Sequence, residues 1–301
     1  MRKILAAIVI VGFFGTASRT MAQMSSANYE IRWDTVGAGG DDISSSSSYI
    51  LRDTIGSTAP GGSSGTSYEL EAGYRAGINS SFIDFSFFSQ DNSTVEDATA
   101  LAGNTISCAS DLYSVGDMVA LVQDRGAMQV SVIGQIISKD IGTITVDELQ
   151  PAGVVPLIDG DNDYVYRLDG TSVDLGTINS SSVSTSIVGI QVSSGSDGGY
   201  AVMIASDGNL HDGATAIQNV SDGSVTAGAE EYGARSSDSS LADSTFDTMD
   251  SPLTDEYQDI ADTSTPATNA RALLTLKGSI DGGTPNGSYS QTLTLIASAT
   301  Y

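Results

Sequence analysis

Apolar and polar residues alternate with a period of two along much of this chain, and that period predicts short β-strands. The cleanest run places Leu293, Leu295, Ala297, Ala299 and Tyr301 on one face and Thr292, Thr294, Ser298 and Thr300 on the other. Val188, Ile190 and Val192 alternate in the same way, as do Tyr200, Val202 and Ile204. Upstream, Thr105-Ile106-Ser107, Met118 to Val122, Gln129 to Ile137 and Thr143 to Val146 alternate or run apolar, with Gly or Asp at the breaks. Phe82, Phe85, Phe87 and Phe88 are too apolar for a free linker and predict one strand docked on a neighbour. Ser93 to Ala102 is the one stretch that suggests helix, a turn or two with Asp97 completing a cap at Thr94. No long helical period appears, so the pattern predicts an all-β protein.

A repeat precedes these strands. Ser25-Ser26-Ala27-Asn28-Tyr29-Glu30-Ile31-Arg32 recurs as Ser46-Ser47-Ser48-Tyr49-Ile50-Leu51-Arg52, and again as Gly65-Thr66-Ser67-Tyr68-Glu69-Leu70-Glu71. In each copy Tyr and the aliphatic residue two places on share a strand face. Gly- and Ser-rich turns between the copies predict a short meander with its tyrosines on a common face. The domain expectation is therefore a signal peptide over 1–22, a Tyr-repeat β segment over 23–78, a connecting segment over 79–103, a small β-barrel-like module over 104–167 and a β-sandwich over 168–301. Within the last, the acidic, Ser/Thr-rich stretch 236–265 predicts a long exposed loop.

The leader reading rests on Arg2 and Lys3, the apolar run Ile4 to Phe14, and small residues in Thr20-Met21-Ala22, the pattern of a helical Sec-type signal cleaved after Ala22. It predicts an extracellular or cell-surface protein, with no membrane insertion once the signal is removed. Acidic residues outnumber basic ones 37 to 12 over 301 residues, for a net charge of −25. Losing Arg2, Lys3 and Arg19 with the leader would leave nine basic residues against the same acids, a net charge of −28. Such a surface repels nucleic-acid phosphates and anionic lipid, and nucleic-acid binding is not expected. Cys108 stands alone, so the fold has to rest on its core without an internal disulfide.

Two motif sets carry a resemblance. Ser114-Val115-Gly116-Asp117-Met118-Val119 followed by Ile144-Thr145-Val146 resembles a small β-barrel-like module of phage structural and bacterial surface proteins. The S-x-x-Y-x-[IL] repeats, Asp174-Leu175-Gly176-Thr177, Gly198-Gly199-Tyr200-Ala201-Val202 and the closing Gly287-Ser288-Tyr289-Ser290-Gln291-Thr292-Leu293-Thr294-Leu295 together resemble exported proteins of uncultured bacteria. Their last domain is similar to the β-sandwiches of spore-coat, fimbrial and cell-wall-binding surface proteins. The resemblance implies a surface or structural role. The W-x-L signature of the wall-binding group is missing, and with it the expectation of peptidoglycan attachment.

Candidate chemistry is thin. Gly61-Gly62-Ser63-Ser64-Gly65 matches G-x-S-x-G, but a nucleophile elbow needs a strand-to-helix turn and this is a Gly/Ser stretch. The only histidine, His211, lies in an Asn-Leu-His-Asp-Gly turn. Zinc lacks ligands, and the carboxylates lie mostly in Ser/Gly/Asp turns rather than beside aromatic clefts. Calcium is the one cofactor with a motif. Asp159, Asp161 and Asp163 place hard oxygen ligands two residues apart, although Tyr164 stands where the loop glycine belongs and Gly170 where the bidentate glutamate belongs.

No enzymatic activity is expected. The reading is a non-enzymatic structural or adhesive surface protein, with a Ca²⁺-dependent or carbohydrate-binding module as the alternative. Its expected partners are itself or other cell-surface components, met through sheet edges. Edge-guarding lysines and prolines are scarce, Lys139 and Lys277 being the only lysines after the leader. The expected edges are the repeat at 25–75 and the stretch Ser288 to Tyr301.

Overall fold

The computed structural model describes residues 82–170 and 172–300, together with the backbone of six short strands between Met24 and Ala72. The signal peptide expected over 1–22 lies outside the described residues. The chain divides into two units, Met1–Asn79 and Ser80–Tyr301.

In the first unit the strands are β1 (Met24–Ser25), β2 (Glu30–Ile31), β3 (Ser44–Ser45), β4 (Ile50–Leu51), β5 (Gly61–Gly65) and β6 (Tyr68–Ala72). They pair antiparallel as β1–β2, β3–β4 and β5–β6, three separate two-stranded sheets. Among the described residues, each copy's Tyr-bearing stretch therefore pairs with the residues just before it rather than with the next copy. Gly61 to Gly65, which read as a turn, is a strand of the third pair.

The second unit is all-β. Its strands are β7 (Ile83–Gln90), β8 (Glu96–Asp97), β9 (Ala100–Ala102), β10 (Thr105–Ser107), β11 (Met118–Gln123), β12 (Val130–Asp140), β13 (Thr143–Val146) and β14 (Tyr164–Gly170). They are followed by β15 (Ser184–Ser194), β16 (Tyr200–Ser206), β17 (His211–Asp212), β18 (Thr215–Ala216), β19 (Glu231–Ser236), β20 (Gln258–Thr263), β21 (Ala267–Ser279) and β22 (Leu293–Ala299). One long sheet runs β19-β21-β15-β7-β14-β11-β12-β13-β10-β9, with β8 paired to β14. A three-stranded sheet runs β20-β16-β22.

Period-two patterning explains most of this. Val188, Ile190 and Val192 of β15 and Leu274 and Leu276 of β21 share one buried core with Tyr200, Val202 and Ile204 of β16, so residues of both sheets meet there. A second core gathers Ile106, Val119, Leu121, Val132, Ile144, Val146 and Val165 beneath β10–β14. The opposite faces of β11, β12 and β14 pack Met118, Ala120, Ile133 and Leu168 against Ile187 and Leu273, which joins the two halves of the long sheet. Its seam is narrow, since β7 and β14 pair only at Gln90–Leu168 and Ser89–Gly170.

The expected boundary at 167/168 falls inside β14, and the connecting segment 79–103 contributes β7 to the middle of the sheet, docked on β15 as the phenylalanines predicted. Two local expectations differ from the structure. Ser93 to Ala102 is not helical beyond a single 3₁₀ turn at Asn92–Thr94, capped by Asp91 rather than Thr94. Thr94 Oγ1 instead donates to Asp91 O and accepts from Arg167 N, which ties the turn to β14 and leaves 96–97 extended. The stretch 236–265 is also more than a loop: it contains β20 and buries Leu241, Phe246, Leu253 and Ile260 in the first core.

Candidate functional site

The aspartates singled out for calcium make a turn that satisfies itself. Asp163 is buried, and its carboxylate accepts from Asp124 N at 3.1 Å, Asp159 N at 2.9 Å and Gly160 N at 3.1 Å. Asp159 Oδ1 accepts from Asp161 N at 3.0 Å, and Asp161 is exposed. The Asp159–Asp161 bond is that of an Asx turn, and the Asp163 carboxylate closes the loop before β14 from its other end and ties it to Asp124. Among the described residues no three His, Cys, Asp or Glu side chains stand together as a metal-binding group.

Other reactive residues are similarly engaged. His211 is half-buried, with Nδ1 2.9 Å from Asn209 O and its backbone bridged to Ser290. Cys108 is buried in the second core, where burial, with Glu96 nearby, pushes its thiol up to about 11. A thiol so protonated is a packing residue rather than a nucleophile. Gly208 and Gly223, which follow Asp207 and Asp222, have positive φ, but neither turn joins two paired strands.

The two lysines do not guard edges. Lys277 lies buried in β21, its Nζ 2.8 Å from Asp250 Oδ1 and donating to Ala127 O at 2.8 Å. The first contact is ionic rather than an aligned hydrogen bond, and Asp250 Oδ2 accepts from Val225 N. Lys139 Nζ donates to Tyr113 O at 2.6 Å. A second interior charge, Arg271 of β21, clasps Asp147 through both terminal guanidinium nitrogens at 2.9 and 2.7 Å and reaches Gln191 through Nε. These basic side chains thus join elements of the fold.

The sheet edges differ sharply. Along β19, Tyr232 and Ala234 exchange backbone hydrogen bonds with Gln218, Val220 and Ser251, so loops cover that edge. Along β20, Asp238 Oδ2 accepts from Asp262 N, and Ser244 Oγ donates to Asp259 O. Burial and the neighbouring carboxylates (Asp243 beside Asp259; Asp238, Asp259 and Asp243 about Asp262) raise both β20 acids above the usual carboxylate range. The first half of β7 is open, but Asp84 projects from it.

β22 has no such hydrogen-bonded cover among the described residues, although β7 runs near it across the shared core. It pairs only with β16, in the register Tyr200–Ala299 to Ser206–Leu293. Asp207 N donates to Thr292 O and Thr300 N to Gly199 O, so the even-numbered residues of β22 bond to β16. In an antiparallel ladder the alternate residues then turn their N–H and C=O outward. Those are Leu293, Leu295, Ala297 and Ala299, whose side chains are only half-buried against the core. Ile296, on the other face, is 37% exposed. No charged residue occurs between Pro285 and Tyr301.

Beside β22 lies a cavity of about 510 Å³, floored by Leu210, Ile217, Leu276 and Leu293 and roofed by 284–291. Its one carboxylate, Asp174, accepts from Gly176 N at 2.7 Å. The β22 alternation was legible in the sequence and Ser288 to Tyr301 was expected as an edge, whereas which of its two sides is free depends on strand order. Compared with known protein families, curated proteins and solved structures, the chain shows no match. Among the described residues, no helix is long and apolar enough to cross a membrane.

Proposed function

We propose that this chain is an exported, non-enzymatic structural or adhesive protein of the cell surface or extracellular space, associating with itself or other surface components through sheet edges. The observation that carries the reading is the neutral, unpaired edge of β22 in a chain with a net charge of −25. Soluble proteins usually blunt such an edge with charge, proline or a covering loop, as β19 and β20 are blunted here. In this reading 168–301 acts as a β-sandwich, 104–167 as a small barrel-like module packed beside it, and the repeats as a short N-terminal β segment after a cleaved leader. The cavity beside β22 favours a second reading, a secreted binding module for a small ligand such as a carbohydrate. Its volume falls within the range of about 300–1,000 Å³ typical of ligand sites.

Fractionation and immunogold labelling of the producing cell test the role. Label at the envelope or in extracellular assemblies, with Gln23 as the first residue of the isolated protein by mass spectrometry, is expected. A full-length cytoplasmic product, or turnover of a substrate by the purified monomer, would overturn the reading.

A further inference from the structure

We infer that two copies of this chain associate by pairing their β22 strands antiparallel about a two-fold axis at Ile296. The inference rests on the edge-pairing role proposed above and names its partner. Three observations point to a second copy. First, the outward-facing backbone groups belong to Leu293, Leu295, Ala297 and Ala299, a set symmetric about Ile296. Full overlap of two such strands pairs Leu293 with Ala299 and Leu295 with Ala297 of the other copy, each pair exchanging both backbone hydrogen bonds. A shift of one residue would set these outward groups against residues already bonded to β16.

Second, that register sets Ile296 opposite itself in a non-hydrogen-bonded pair, where side chains approach most closely. Ile296 is exposed on the outer face, with exposed Thr294 and Ser298 as its neighbours on that face. Pairing would therefore bury the part of this apolar residue that remains exposed.

Third, charge selects the partner. A chain at −25 repels its own copies, whereas along Leu293–Ala299 two copies meet without opposed carboxylates, the nearest, Asp207 and Asp212, being taken up by Thr292 N and Ser288 N. A cationic partner would find no complementary charge there. The joined sheet would run β20-β16-β22 and on through the same three strands of the second copy. An interface seven residues long is small by the standard of stable dimers, so association is weak and concentration-dependent.

Cysteine cross-linking of the full chain tests the register. Across the axis the two residues at position 296 stand about 4.5 Å apart at Cα, within the span of a disulfide. Ile296→Cys should give a disulfide-linked dimer on mild oxidation. Thr294→Cys should not, because its counterpart lies four residues along the strand, about 13 Å away. Buried Cys108 is common to both variants. Ile296→Lys should weaken association by about tenfold or more, by setting like charges face to face. Ala297→Pro should do the same by removing an outward donor while leaving the β16 ladder intact.

Equal cross-linking of both cysteine variants would overturn the register. Association unchanged in Ile296→Lys and Ala297→Pro would overturn the β22 pairing, yet leave edge association elsewhere standing. A chain that stays monomeric up to about 1 mM and binds no surface component would overturn both this inference and the role it rests on.

Discussion

β20 and β22 flank the same central strand, β16, and make opposite use of charge. β20 carries Asp259 and Asp262, and side chains of Asp238 and Ser244 take up its free backbone groups. β22 carries no charge, and apart from Ala299 O, which accepts from Ser298 Oγ at 3.3 Å, no hydrogen bond to its outward groups is found among the described residues. The comparison shows what guards an edge in an acidic chain: carboxylates and a returning loop, not lysine or proline. Where both are missing, the edge is open to another strand.

The largest effect should come from the buried lysine of β21. Lys277→Met strands Asp250 in the core, and a broken buried pair costs about 3–5 kcal/mol. Urea unfolding should register that loss while association at native conditions stays as in the parent. A destabilisation below about 1 kcal/mol would mean that Lys277 reaches solvent after all.

Next comes the Arg271 clasp. Burial opposes ionisation of Asp147, but the Arg271 hydrogen bonds, the Gln135 and Glu148 N–H groups and the guanidinium charge outweigh it and hold the carboxyl below its usual value. A depressed carboxylate stabilises the fold above its unfolded value near 3.8, and that contribution is lost as pH falls through the folded value. Asp147→Asn should therefore cost about 1–3 kcal/mol at neutral pH, with the gap to the parent closing in acid. A pH-independent gap would contradict the ionic account.

The β20 acids have the opposite sign. Their folded values are raised, so stability is greatest with both protonated and is lost as pH rises through the interval above the ordinary 3.8. Asp262→Asn should raise neutral-pH stability by up to about 0.5 kcal/mol after solvent screening, while freeing this edge of one charge. A fall in stability would show that its carboxylate is needed in the native fold. Smallest of all, Ile296→Lys should leave the melting of the dilute monomer within about 0.5 kcal/mol of the parent, because its side chain is exposed. A larger loss would make Ile296 a packing residue and remove it from the edge.

Much of the second unit was legible because its strands alternate cleanly. Thr105–Ser107 and Thr143–Val146 appear with the bounds that the pattern gave, and β11 and β12 differ only at their ends. β20 was hidden because Gln-Asp-Ile-Ala-Asp-Thr offers two apolar residues in an acidic stretch, and their burial depends on β16 beside them. The helical reading of 93–102 failed because Thr94 spends its hydroxyl on Asp91 and Arg167, and Arg167 is remote in sequence. The fate of Lys277 was equally invisible, since Asp250 and Ala127 meet it only in the folded sheet. In Asp159-Gly-Asp-Asn-Asp163 the spacing was plain, but not the choice of backbone N–H groups as partners. The edge itself was half legible: the alternation of β22 and its neutrality can be read, whereas which side lacks a neighbour is a property of topology.

The most direct test of the open edge is amide hydrogen exchange along β22 as a function of protein concentration. Thr294, Ile296 and Ser298 donate to β16 and should be protected at every concentration. Leu295, Ala297 and Ala299 point outward and should exchange fast when dilute, becoming protected as concentration rises. Alternating protection that appears only on association is the predicted result. Slow exchange at all six positions in the dilute protein would mean that the edge is already covered, and would contradict the account.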